Sequence, residues 1–211
     1  MPGDDGAIPC AEQHAATPYQ TSMEEQAAYA IQAVALAASS GYERIGFYQM
    51  VDGGPCGQPA VGGITRDDGS RRPVADALQT AVTYLSGFSA ARFEPIVRST
   101  TAWSAWPAVP TSYTPNWRTY RVSFDFPDGR RVTVLWNGDA TDSMLQVPRG
   151  AGSAVLLDQY GAAQELRSDG DNWLVSLPGA TARFYVNEIV RDPAGYHFIG
   201  GAPRLLVEPA P

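Results

Sequence analysis

The residues able to do acid–base chemistry, 22 Asp and Glu and two His, are scattered along this chain. Around the first helical pattern and the turns after it stand Glu24, Glu25, Asp52, Asp67 and Asp68. Glu24 and Glu25 follow Ser22 at the spacing of a capping box, in which hydroxyl and carboxylate satisfy free amide donors at a helix start. Acid in a first turn also offsets the helix dipole. Asp67-Asp68 stands before Gly69, which is ordinary turn composition. His14 and His197 have no nucleophile-elbow pattern with them, so Ser-His-Asp catalysis is not indicated. The strings "GDDG" and "GGAPR" do not match phosphate-binding glycine loops. Cys10 and His14 lie close in sequence but lack a second close pair, and a structural zinc site needs four ligands. Cys10 and Cys56 therefore leave two readings open, a pair of buried free thiols or one disulfide. No cofactor is indicated.

The composition narrows the partners. The chain has 211 residues, 44% of them hydrophobic and 18% charged, enough apolar content for a sizeable core. Gly (21) and Pro (17) are abundant, which favours short strands joined by many turns. Net charge is −7, and the short basic pairs Arg71-Arg72 and Arg130-Arg131 read as solvated surface, so nucleic acid is not an expected partner. No apolar run approaches the roughly 20 residues that span a bilayer, so no membrane partner is expected. The first residues lack the basic start and apolar stretch of a signal peptide. The expectation is that the chain is cytoplasmic or that its true beginning lies upstream.

The elements that must position these residues change character along the chain. Pro2, Gly3, Gly6, Pro9 and Pro18 keep the first 21 residues loop-like. Ser22 to Ser40 predicts an Ala-rich amphipathic helix closed by Gly41. Arg44 to Val51 is apolar on both faces, which predicts a strand covered on both sides, as in parallel sheets. After a long loop, "GITRDDGSRRP" makes a polar turn, and Pro73 fits the first position of a second helix running to Leu85. Beyond Phe88 strands dominate. Tyr120 to Phe126 and Val132 to Trp136 alternate around Pro127-Asp128-Gly129, a hairpin signature. Further strands are expected at Met144 to Val147, Ala154 to Asp158, Trp173 to Leu177, Ala182 to Val186 and Leu205 to Glu208. Trp136 and Trp173 lie in alternating strands and read as core, while Trp103 and Trp106 fall in the irregular crossover. The fold class expected is mixed α and β: helix-strand-helix over 1–91, followed by an antiparallel β-sandwich over 92–211.

Taken in order, "EEQAAYAIQAVALAASSGYERIGFYQMVDG", "GITRDDGSRRPVADALQTAVTYLSG", "RVTVLWNGDA", "LLDQYG", "LPGATARFY" and "YHFIGGAPRLLVE" resemble the C-terminal part of bacterial glycoside hydrolases. The group is the clan with a (β/α)8-barrel catalytic domain, β-xylosidase-like and cellulase-like members, and a β-sandwich accessory domain. The resemblance implies that Ser22 to Ser40 is the seventh barrel helix, Arg44 to Val51 the eighth strand, and Pro73 to Leu85 the eighth helix. The turn before Pro73 then carries the chain from the substrate face back down the barrel. It further implies a β-linked oligosaccharide as the partner of the parent enzyme. The two catalytic carboxylates would lie upstream of Met1, leaving this chain inactive alone. A retaining pair needs its two acids about 5 Å apart on a rigid frame.

In that frame Asp52 follows the C-terminal end of a barrel strand, where functional groups gather. Asp52, Gln49 and Tyr48 are the substrate contacts the resemblance implies. Family members often carry Trp-Gly-Leu after strand eight; here Gly62-Gly63-Ile64 stands in its place, without the indole platform. The resemblance also places Cys10 above strand seven and Cys56 above strand eight, which implies a Cys10–Cys56 disulfide and a secreted parent. A barrel edge cut here would expose apolar surface from strand eight and the Ala-rich helix, so self-association is expected.

Overall fold

Ser22 opens the first helix as its spacing predicts. Its amide donates to Glu25 Oε2 at 2.7 Å and its Oγ accepts from the Glu25 amide at 3.1 Å, the reciprocal pair of a capping box. Helix α1 runs Met23–Ser39 and helix α2 runs Pro73–Leu85, with Pro73 in the first turn. In a computed structural model of the chain, the residues described are 22–47, 50–51, 63–66, 68–94, 96–97, 117–181 and 199–210. The strands are β1 (Ala90–Phe93), β2 (Ile96–Val97), β3 (Trp117–Asp125), β4 (Arg131–Asn137), β5 (Ser143–Pro148), β6 (Val155–Leu157), β7 (Ala163–Gln164), β8 (Arg167–Asp169), β9 (Asn172–Leu177) and β10 (Arg204–Glu208).

These strands form two antiparallel sheets. The larger has the order β1-β3-β4-β10-β6-β7, with β2 also paired to β3, and the smaller has the order β5-β9-β8. The hairpin turns where the sequence places it. The Phe126 and Arg130 backbones bond across Pro127-Asp128-Gly129, and Gly129 takes φ 84°, a conformation suited to glycine. Most of the other expected strands form within a few residues of their predicted ends; Ala182 to Val186 lies outside the described residues.

Alternation along β4 explains the layering. Val132, Val134 and Trp136 point to the helices, where they join Ala27, Ile31, Ala35, Ala77, Ala81 and Leu85 in one cluster. Leu135 points the other way, to Leu145, Val147, Trp173, Val175 and Leu177 of the smaller sheet. In β10, Leu205 and Leu206 divide in the same manner. The larger sheet is thus buried on both faces, between the helix pair and the smaller sheet. Tyr120 stacks on Trp136 at 4.9 Å between ring centroids, so aromatic contact adds to the burial. Trp136 and Trp173 are both buried, as their alternation predicts.

Three expectations are corrected. The Ala-rich helix does not expose an apolar face: Ala27, Ala28, Ala30, Ile31 and Ala35 are all buried. Small side chains let α1 approach both α2 and the sheet closely. Arg72 is not solvated surface; it sits buried at the N-cap of α2. The described residues of the strand expected over Arg44 to Val51, buried on both faces, do not form a ladder. Arg44 to Phe47 carry no strand pairing, Ile45, Met50 and Val51 are exposed, and the segment's bridge is the isolated parallel one between Val51 and Thr65. A strand needs neighbours to satisfy its amides and carbonyls, and no described strand lies beside this one.

Candidate functional site

The polar turn before α2 is held together locally. Met50 O accepts from the Ile64 and Thr65 amides, at 3.1 and 2.8 Å. Thr65 bridges to Arg71, and the Arg66 guanidinium reaches Ser70 Oγ and Arg71 O. Asp68 Oδ1 accepts from the Ser70 amide at 2.8 Å, the expected turn role, and Ser70's hydrogen bonds hold its carboxyl below the usual range. The turn thus returns the chain past Met50–Val51 and into α2. Of the residues predicted to touch substrate, Tyr48, Gln49 and Asp52 lie outside the described residues, as do Asp67, Trp103, Trp106, His14 and His197. Cys10 and Cys56 do too, and no disulfide is seen among the described residues. The described residues also hold no cluster of His, Cys, Asp and Glu able to bind a metal.

What the structure does bring together lies at the far end of the larger sheet. There a cavity of about 270 Å³ opens between Asp125, Phe126, Arg130, Arg131, Gly150 and Glu208. Strand register makes it. Arg131 of β4 stands opposite Asp125 of β3 on one side and Glu208 of β10 on the other. Directly opposed residues in an antiparallel sheet share a face, so the three form a row of alternating charge. Asp125 pairs with Arg131 at 2.9 Å and with Arg92. Burial pushes its carboxyl pKa up, but the hydrogen bonds and charges of Arg92 and Arg131 outweigh this and hold it below the ordinary 3.8.

Glu208 is almost wholly buried. Its Oε1 accepts from the Trp173 indole Nε1 at 3.0 Å and from the Gly150 amide at 2.8 Å. A Cβ on residue 150 would stand 3.0 Å from Glu208 Oε2, so glycine there lets the main chain come close to the carboxylate. The Arg130 guanidinium lies over the Phe126 ring, 3.9 Å from its centroid. Arg149 covers the Trp173 ring in the same way, at 4.4 Å. Such an arrangement offers fixed donors and acceptors for binding. With Asp125 held ionised between two guanidiniums, it is poorly suited to proton transfer at neutral pH.

Arg130 and Arg131, expected as solvated surface, and Asp125 and Glu208, expected only as strand residues, come together here. Asp125 and Arg131 could have been paired from the hairpin alone, since the turn at 127–129 sets their register. Glu208 could not, because no local signal says that the last strand enters the sheet beside β4.

No protein-family model and no curated protein matches the chain. Among solved structures it is similar to a family 39 glycoside hydrolase from the gut symbiont Bacteroides cellulosilyticus WH2, with a TM-score of 0.57 and 17% identity. That alignment covers 89% of this chain and 31% of the other, so this chain spans less than a third of that protein's length. A GH30 endoxylanase from Clostridium papyrosolvens C71 aligns over 46% of this chain and 22% of its own, with a TM-score of 0.30 and 17% identity. The fold is mixed α and β, a helix pair packed on antiparallel sheets, consistent with a partial (β/α)-barrel end followed by a β-sandwich.

Proposed function

We propose that this chain is the C-terminal, non-catalytic portion of a glycoside hydrolase-type protein acting on β-linked oligosaccharides. One observation carries the reading: the likeness to a family 39 glycoside hydrolase extends over 89% of this chain while taking up 31% of that one. In this reading α1 and α2 are the last two barrel helices, with residues 1–91 as the barrel end and 92–211 as the sandwich. The catalytic carboxylates belong to preceding barrel units, and Tyr48, Gln49 and Asp52 line the sugar site of the intact protein. The Cys10–Cys56 disulfide and self-association through the exposed Met50–Val51 edge belong to the same reading.

The purified chain should not hydrolyse aryl β-glycosides; turnover that survives careful purification would sink the proposal. A titration of the unreduced protein should find no free thiol, and two free thiols would reject the disulfide.

A second reading treats the sandwich as a carbohydrate-binding module in its own right. What favours it is the polar cavity bounded by Asp125, Arg130 and Glu208, which belongs wholly to the sandwich. Glycan binding without turnover would distinguish it from an inert remnant.

A further inference from the structure

We infer that the cavity at the end of the larger sheet binds a single neutral, polyhydroxylated ring, the terminal unit of a saccharide. The inference rests on the carbohydrate reading of the sandwich and gives it a site.

Size is the first argument. About 270 Å³ falls just below the roughly 300–1,000 Å³ of sites for drug-sized ligands, which leaves room for one ring and not for a chain of them. Charge is the second. Asp125 and Glu208 line the cavity together with Arg130 and Arg131, so the lining carries no net formal charge. An anion would meet two carboxylates and a cation two guanidiniums, which leaves a neutral polar molecule as the ligand the walls do not repel.

The third argument is the state of the polar groups. Arg131 is committed to Asp125. Arg130 is not committed in this way: its Nε is buried without a hydrogen-bond partner among the described residues, and Asp128 Oδ2 at 3.9 Å is too distant to serve. The Phe126 ring beneath holds that guanidinium flat. Both donors to the Glu208 carboxylate go to Oε1, and no described residue donates to Oε2. A guanidinium held on Phe126 and a carboxylate oxygen that receives no donor among the described residues thus line the same cavity. Vicinal hydroxyls, each both donor and acceptor, can satisfy the two together.

Calorimetric titration of the full chain with xylobiose and with cellobiose tests this, alongside the Trp173 indole resonance, whose N–H shares Glu208 Oε1. Saturable binding in the millimolar range is expected, with the indole resonance moving as sites fill. Arg130→Met keeps the stem on Phe126 but removes the donors, and should weaken binding at least tenfold while the thermal transition holds. Undiminished binding in Arg130→Met would overturn this site while leaving the carbohydrate reading intact, because the sugar would then sit elsewhere. An absence of saturable binding with an unmoved indole signal would overturn the site as well. Binding of citrate or putrescine in place of the sugars would overturn the neutral-ligand assignment.

Discussion

The two helices and the segment between them are neighbours in the chain, yet they fare differently. Helices α1 and α2 are intact and bury one face against the larger sheet. Among its described residues, the intervening Arg44–Val51 segment has one isolated bridge, at Val51, and shows Ile45, Met50 and Val51 to solvent. The difference is one of hydrogen-bond economy. A helix satisfies its backbone internally and needs only a surface for its apolar stripe. A strand satisfies nothing alone, so the described residues yield formed helices but no ladder where no described strand lies beside the segment.

That contrast can be broken at several points, the strongest first. Ile31→Ala removes a fully buried side chain from the α1–sheet contact and should cost about 2–5 kcal/mol, seen as a lower urea midpoint with unchanged slope. A cost below about 1 kcal/mol would mean that the helices are not anchored by the sheet. Gln32 is buried in α1, its Nε2 donating to Gly200 O at 3.1 Å and Gly201 O at 3.0 Å, and its Oε1 accepting from the Gly200 amide at 3.1 Å. Gln32→Ala leaves those buried backbone groups without partners and should cost about 1–3 kcal/mol by the same measurement.

Ser22→Ala should cost about 1 kcal/mol, since it removes one half of the capping box, and hydrogen exchange should rise first in the opening turn of α1. The smallest effect is expected in the segment itself. The double change Met50→Ser and Val51→Ser should leave stability within about 0.5 kcal/mol but lower the apparent mass in light scattering. A large loss of stability there would show that the segment is structured after all; an unchanged mass would remove it as the self-association surface.

How much of this was legible depended on how far each signal reaches along the chain. The capping box at Ser22 and Glu25, Pro73 at the start of α2, and the Pro127-Asp128-Gly129 turn act within a few residues, and each predicted its element. The Arg44–Val51 pattern was a correct reading of composition, but composition records only what a strand would tolerate on its faces. It does not say whether neighbours are present. Burial of the α1 alanines escaped for a related reason, because the sheet that covers α1 is built from residues about a hundred positions downstream. The Arg131–Glu208 neighbour relation at the cavity was equally illegible, since it depends on the order of strands in the sheet.

That order also bears on how the protein is made. The strand between β4 and β6 is β10, the last described element, and the glycines that grip Gln32 lie only a few residues ahead of it. On the ribosome, α1 and β4 would emerge long before the piece that locks them together. The nascent domain must therefore wait, with a gap in the middle of its sheet, until translation is nearly finished. A stop codon placed before residue 199 should yield not a slightly shortened protein but one that never closes its centre, recognisable as insoluble product or rapid proteolysis in cells.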